Sequence, residues 1–180
     1  MSENETILSN AMDAHGDVVY RLALCHLQNV ADAEDIFQDV FLQLLKEKNV
    51  EQWSLEHLKA WLLRVTINRC HNLARNRIRR QTLPLEEVPE LASEVTESDN
   101  ELWDALGRLP AKYRLVVLLY YVDGYKTEEI AKLVECRDAT VRSRLHRGRK
   151  KLKEMIGGIF YEEPLQRYDG KNQSPKFVER

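Results

Sequence analysis

The chain has 180 residues with a formal net charge of -2, and its composition is 43% apolar and 31% charged. That length allows one large domain or two small ones, and the balance of residue types is typical of a globular protein. No run approaches the roughly 18 apolar residues of a membrane span, and the N-terminus lacks the pattern of a secretory signal. Cys25, Cys70 and Cys136 are too scattered for a disulfide framework or a zinc site. We therefore expect a cytoplasmic protein without membrane insertion and without a bound metal.

Three segments in the first 80 residues have the apolar spacing of amphipathic helices. Residues 17–27 and 31–48 each carry an apolar stripe. The second of these segments has acids at its start and lysines at its end, as the helix dipole prefers. A third helix is predicted from about Leu55 to Arg79. We predict one helical domain over residues 10–80.

A polar and basic stripe runs along the third predicted helix. Its members are spaced three or four residues apart and are Trp61, Arg64, Asn68, Asn72, Arg75 and Arg79. Amides can read base edges, guanidinium groups can hold phosphates, and an indole can stack on an unpaired base. The stripe is therefore a candidate nucleic-acid surface. The alternative is that Trp61 is a core aromatic residue and that the asparagines are ordinary surface residues.

Residues 81–97, QTLPLEEVPELASEVTE, interrupt the helical pattern. They include two prolines and many acids and have no sustained apolar period, so we predict a flexible acidic linker. Fully extended, the linker could span roughly 56 Å at about 3.3 Å per residue. A second helical domain is predicted over residues 98–156. Residues 157–180 form a polar tail, which could be disordered or could be a regulatory appendage.

The second domain ends in two helices separated by a short turn. The first is predicted from Thr127, as its cap, to Val134, and the second starts near Asp138 and runs past residue 152. The expected buried stripe of the second helix is Val141, Leu145, Gly148 and Leu152. This layout is typical of a helix-turn-helix, whose second helix enters the major groove of DNA. The predicted fold class is all-α, with two small helical domains joined by a flexible acidic linker, the C-terminal one a helix-turn-helix.

The second helix of this pair concentrates positive charge. From Arg137 to Lys153 there are eight Lys or Arg residues and one acid, Asp138. Its candidate DNA-binding residues are Arg142, Ser143, His146, Arg147, Arg149 and Lys150. Arginine can contact guanine with two hydrogen bonds, serine can contact several bases, and both Lys and Arg can hold phosphates. The alternative is an exposed basic helix on an ordinary protein surface.

Three blocks of the sequence stand out together. They are DAEDIFQDVFLQLL at 32–45, LKAWLLRVTINRCHNLARNRIRR at 58–80, and the segment at 109–152 that begins LPAKYRLVVLLYYV. In this order, with an acidic connector between, they resemble the extracytoplasmic-function (ECF) subfamily of bacterial RNA polymerase sigma factors. The first block resembles the helix that grips the polymerase clamp. The second resembles the helix that reads and opens the promoter −10 element, and the third resembles the domain that reads the −35 element.

The resemblance implies roles for residues of the N-terminal domain. The polymerase-facing side of the first block would consist of Asp35, Gln38, Asp39 and Leu42, although an exposed acidic surface is the alternative. Asn68 and Asn72 fall where the family places base-reading residues. Trp61 and Arg64 would support strand separation.

The resemblance also divides the basic helix by role. The residues placed against −35 bases are Arg142, Ser143, His146 and Arg147, and those that would mainly hold phosphates are Arg144, Arg149 and Lys150. Many relatives have a Pro and a Gly in the turn before this helix, whereas ECRDAT at 135–140 has neither. We therefore expect a slightly different docking angle.

The implied function is that of a sigma factor, which performs no bond chemistry and needs no cofactor. Its expected partners are core RNA polymerase, double-stranded promoter DNA and the melted −10 strand, and an anti-sigma factor could be a further partner. One alternative is a stand-alone helix-turn-helix transcriptional regulator whose N-terminal domain senses a ligand or dimerises. Another is a protein-interaction module whose basic faces bind an acidic partner without regard to DNA sequence.

Overall fold

The computed structural model of this protein describes residues 3–80 and 97–156, with side chains described for 6–77 and 103–156. Within these ranges every regular element is a helix, as the sequence predicts, and the residues divide into two compact units. None of the described helices combines the length and the apolar composition that crossing a membrane requires. The predicted tail and the predicted linker, apart from Glu97, lie outside the described residues.

Three α-helices and one short turn build the N-terminal unit over its described residues, 3–80. They are α1 (Glu3–Leu27), α2 (Val30–Leu44), a 3-10 turn (Val50–Gln52) and α3 (Leu55–Arg80). α1 begins well before the predicted segment at 17–27. The prediction that the second helix continues to residue 48 was wrong. α2 stops earlier because the N–H groups of Lys46 and Glu47 donate to the carbonyls of Gln43 and Leu44, which closes tight turns.

The start of α2 and its buried side hold it in place within the unit. The Asn29 side chain accepts a hydrogen bond from the backbone N–H of Asp32 at 2.9 Å, which caps the helix. Apolar residues of all three helices form one core, which includes Val19, Ala23, Ile36, Val40, Phe41, Leu44, Leu58, Leu62 and Cys70. Because α2 buries this side, its opposite side faces outward.

Four α-helices and one wider turn build the described part of the C-terminal unit. They are α4 (Glu97–Arg108), α5 (Ala111–Val117), a π-helical turn (Leu118–Val122), α6 (Thr127–Leu133) and α7 (Asp138–Ile156). The segment that starts at Ala111 therefore begins as α-helix and widens into the π-helical turn at Leu118. The wider turn ends where the Asp123 N–H donates to the Leu118 carbonyl at 3.2 Å.

Polar contacts fix the ends of two helices in the C-terminal unit. The buried Arg114 guanidinium donates to the Gly107 carbonyl at 3.1 Å, which ties α5 to the end of α4. Lys126 precedes α6, and its N–H donates to the Glu129 carboxylate at 2.8 Å. The prediction that Thr127 caps this helix was therefore wrong by one residue, because Thr127 is already helical.

Candidate nucleic-acid interfaces

α7 separates buried and exposed side chains as the sequence predicts. The buried residues are Val141, Leu145, Gly148 and Leu152, which confirms the expected stripe. Of the candidate DNA-binding residues, those that are exposed are Arg142, Ser143, His146, Arg147 and Lys150, and those that are half-buried are Arg144 and Arg149. The outer surface of α7 therefore carries its positive charge in water, where nucleic acid can reach it.

The turn before α7 closes without the glycine that many relatives have there. Glu135 takes the left-handed conformation with a φ of 51°. The Cys136 N–H donates to the Ala131 carbonyl at 3.0 Å, the long bond of a Schellman motif. A turn geometry that normally favours Gly is thus adopted by Glu, at a conformational cost. The missing Gly therefore does not prevent the helix-turn-helix from forming.

Both candidate base-reading arginines on α7 have partners within the protein. Arg142 forms an ion pair with Asp138, one helical turn earlier. Arg147 forms a hydrogen bond with the Tyr113 hydroxyl, and this bond together with nearby Lys112 holds the pKa of Tyr113 below its ordinary value. The Lys112 Nζ lies 5.1 Å from the centre of the Tyr113 ring. Sequence reasoning missed Tyr113, because it lies in an apolar run that signals only burial.

α3 presents the predicted polar stripe to solvent. The exposed members of this stripe are Arg64, Asn68, Asn72 and Arg75. Arg79 lies in the last turn of α3, but its side chain lies outside the described residues. The opposite side of α3 is buried at Leu62 and Cys70. The four exposed side chains therefore form one face that combines amides with guanidinium groups.

Trp61 combines features of a core aromatic residue and of a surface residue that could stack on a base. It is half-buried and packs against the core of the N-terminal unit. Its ring centre lies 5.6 Å from that of Trp53, and Trp53 in turn lies 4.7 Å from His57. One side of the indole is thus supported by aromatic packing, and part of it remains accessible to solvent.

α2 exposes the four residues that the resemblance places toward the polymerase. They are Asp35, Gln38, Asp39 and Leu42, and we call them the α2 docking face. Leu42 is 55% exposed, so most of its apolar side chain lies in water. Ile36, Val40 and Phe41 anchor the other side of α2 in the core. A face that combines two carboxylates with one exposed apolar side chain would be complementary to a partner with a basic surface.

Arg69 joins α3 to the edge of the α2 docking face. Its Nη1 donates to Asp39 at 2.7 Å, and its Nη2 donates to Gln43 at 2.9 Å. Sequence reasoning assigned no role to Arg69. No local signal could have found this contact, because Asp39 lies 30 residues earlier in the chain.

Family models match both units. The model for Sigma-70 region 2 matches residues 11–82. The model for Sigma-70 region 4 matches residues 99–152. The first range contains α2 and α3 with their exposed faces, and the second contains most of α4, all of α5 and α6, and most of α7. Both candidate nucleic-acid surfaces therefore lie inside a matched region.

Curated proteins similar to this chain carry the same assignment. The ECF RNA polymerase sigma factor SigE of Mycolicibacterium smegmatis is 33% identical over 79% of this chain, and the match spans 58% of that protein. The ECF RNA polymerase sigma factor SigL of Mycobacterium tuberculosis is 30% identical over 79% of this chain and 85% of that protein.

A solved structure agrees with the fold. The sigma factor RpoE of Bartonella quintana, in complex with the anti-sigma factor NepR, matches with a TM-score of 0.68 at 22% identity. The match covers 83% of this chain and 96% of that one. The two region models, the similar curated proteins and this fold agree, and the chain belongs to the ECF subfamily of RNA polymerase sigma factors.

Proposed function

We propose that this sigma factor binds core RNA polymerase and directs it to promoters by recognising a −10 and a −35 element. The observation that carries the proposal is the separation of faces on α7, where one side is buried and the other is basic and exposed. The protein supplies binding and orientation in this role and makes or breaks no covalent bond. The family match disfavours a stand-alone regulator, which has no need of the α2 docking face.

At the −35 element, α7 lies in the major groove of the duplex. Its candidate base contacts are Arg142, Ser143, His146 and Arg147, and its candidate phosphate contacts are Arg144, Arg149 and Lys150. Arg142 can exchange Asp138 for a base because an exposed ion pair contributes little to stability. Arg147 keeps its hydrogen bond to the Tyr113 hydroxyl as α7 enters the groove, so its side chain is positioned before it meets a base.

At the −10 element, the exposed face of α3 receives DNA whose strands separate. Asn68 and Asn72 each offer a donor and an acceptor to an unpaired base. Arg64 and Arg75 hold phosphates on either side of them, and Arg79 extends this stripe. Trp61, supported by Trp53, provides an aromatic surface on which an unstacked base can rest.

At the polymerase, the α2 docking face forms the contact. Asp35 supplies an acceptor and Gln38 an amide, and Asp39 belongs to the same face with its carboxylate bonded to Arg69. Leu42 supplies an apolar anchor that is 55% exposed in the free protein. Burial of such a side chain at an interface contributes roughly 1–2 kcal/mol. The acidic face fits a basic surface on the enzyme.

The function is tested by run-off transcription with purified core polymerase and a library of promoter sequences. Core polymerase with this protein should start transcripts at sites that share two elements at one spacing. Core polymerase alone is the control and should start none of them. A protein that binds the DNA library but supports no initiation would instead be a stand-alone regulator.

An anti-sigma protein is a further proposed partner. RpoE of Bartonella quintana was solved in complex with the anti-sigma factor NepR, and its fold resembles that of this chain. The exposed α2 docking face and the basic face of α7 are the surfaces that such an inhibitor would need to cover. A purified candidate inhibitor should abolish both run-off transcription and coelution of this protein with core polymerase. A candidate that leaves both unchanged is not the partner.

A further inference from the structure

The contact between Arg69 and α2 uses both terminal nitrogens of one guanidinium group. Nη1 donates to Asp39 Oδ2 at 2.7 Å, and Nη2 donates to Gln43 Oε1 at 2.9 Å. Asp39 and Gln43 lie one turn apart on α2, so the planar group spans two adjacent side chains of that helix. We call these two bonds the Arg69 fork, and they hold the Asp39 and Gln43 side chains in one orientation more firmly than a single ion pair would hold one of them.

The position of Arg69 on α3 connects two surfaces that have separate proposed roles. Its neighbour Asn68 is exposed on the DNA-facing stripe, whereas its other neighbour, Cys70, is buried in the core. Arg69 therefore leaves α3 between the DNA-facing side and the core. Its partner Asp39 belongs to the α2 docking face. One side chain thus links the face that reads DNA to the face that meets the polymerase.

A second ion pair also joins α3 to α2. Arg77 of α3 forms an ion pair with Asp32 near the start of α2. Asp32 lies outside the docking face, and its backbone N–H is held by the Asn29 cap. The Arg77 pair therefore joins the same two helices without touching a residue that meets the polymerase.

From this geometry we propose that Arg69 is a positioning residue for polymerase docking. It holds Asp39 and Gln43 so that the docking face keeps a fixed orientation relative to the DNA-reading face of α3. Asp39 then serves docking through Arg69 and not mainly as a free carboxylate for the enzyme. The inference rests on the proposed function, because it assumes that α2 meets core polymerase.

Both side chains of the ion pair are partly exposed to solvent. Loss of the Arg69 fork should therefore lower the affinity for core polymerase more than it lowers the folding stability. The Arg69 side chain is 34% exposed and the Asp39 side chain 54% exposed. Pairs of such exposure contribute little to folding stability. The core of this unit is formed by apolar residues such as Val40 and Leu62. A loss of affinity for core polymerase without a change in thermal unfolding would therefore show that the orientation of the docking-face side chains has changed.

The test measures the affinity of the full-length protein for core polymerase in variants of the fork. Arg69→Gln should weaken binding about three- to fivefold, and Asp39→Asn should weaken it by a similar factor. The double variant should bind no more weakly than either single variant, because both remove one interaction. The exchange Arg69→Asp with Asp39→Arg should recover much of the loss, since it restores the pair in reverse.

Direct contact between Asp39 and the enzyme predicts the opposite pattern. Arg69→Gln would then free the carboxylate and leave binding unchanged or tighter, and the exchanged pair would bind as poorly as Asp39→Arg alone. Either result overturns the proposal. Arg77→Gln is the matched control, because it removes a pair between the same helices and should leave core affinity unchanged.

Two outcomes separate this inference from the proposed function. Failure of the unaltered protein to bind core polymerase would refute the proposed function and the inference together. Binding by the unaltered protein with equal binding by every fork variant would refute the inference alone. Thermal unfolding of each variant shows whether a loss of affinity follows from loss of fold.

Discussion

Gly148 of α7 faces Val117 of α5 so closely that a Cβ atom at position 148 would lie 2.8 Å from Val117 Cγ2. The Tyr113 Cβ would lie only 3.4 Å away. Both contacting residues are buried, and the branched Val117 side chain has little freedom to turn aside. The close approach of α7 to α5, and hence the placement of the basic face, depends on the missing side chain.

Gly148→Ala should therefore destabilise the C-terminal unit. Overpacking costs about 1–3 kcal/mol, and the better helix propensity of Ala returns up to about 1 kcal/mol of that. Urea unfolding of the full chain measures the change. Adding Val117→Ala should recover part of the loss through the space it creates. The exposed Lys151→Ala is the control and should change stability by less than about 0.5 kcal/mol.

Glu135→Gly should stabilise the protein, although most glycine substitutions do the reverse. Glu135 has a φ of 51°, where a side chain costs about 1–2 kcal/mol and Gly costs nothing. The greater freedom of Gly in the unfolded chain offsets roughly half of this. A net gain of about 0.5–1 kcal/mol is expected in urea unfolding. Lys132→Gly, at an exposed position inside α6, should lose up to about 1 kcal/mol.

Arg142→Ala and Lys150→Gln should have different effects on DNA binding. Loss of a base contact costs about 1–3 kcal/mol and relaxes preference at one base pair of the −35 element. Loss of a phosphate contact weakens binding to all sequences alike. It also lowers the slope of log affinity against log salt concentration by about one. Holoenzyme binding to a set of −35 variants at several salt concentrations distinguishes them. Uniform weakening by Arg142→Ala would contradict a base-reading role.

Cys70 should react more slowly with alkylating agents than the other two cysteines. Burial raises the pKa of its thiol from 9.0 to about 12, so the reactive thiolate is scarce. Cys25 and Cys136 are half-buried. Iodoacetamide at pH 8, followed by mass spectrometry, should modify those two first. Because the folded chain keeps a proton that the unfolded chain loses, stability should also fall as pH rises above about 9, and less so in Cys70→Ala.

His15 should make the N-terminal unit less stable in acid. Burial, with help from nearby Lys59, lowers the pKa of His15 below its ordinary value of 6.5. The unfolded chain then binds the proton more readily than the folded one, so stability is lost as pH falls below about 6.5. The free energy of unfolding of His15→Gln should depend less on pH between about 5 and 7. An unchanged slope would show that other groups dominate the acid response.

The features that could be predicted from the sequence depend on neighbours along one helix. The buried stripe of α7 repeats every three or four residues, and burial of Val141 and Leu152 follows that repeat. The exposed stripe from Arg64 to Arg75 on α3 follows the same rule. Helix ends were predicted less well. Backbone turns set the end of α2, and a cap at Lys126 sets the start of α6. These are local choices between nearly equal alternatives.

The sequence by itself therefore determined that the described parts of the chain are helical and which side of α2, α3 and α7 faces the core, because helical periodicity is a local property. Only the tertiary structure decided which side chains meet across helices. Arg69 reaches Asp39, and Gly148 lies against Val117, because the cores bring together helices that are far apart along the chain. Such contacts leave no periodic trace in the sequence, since each depends on the packing angle between two helices.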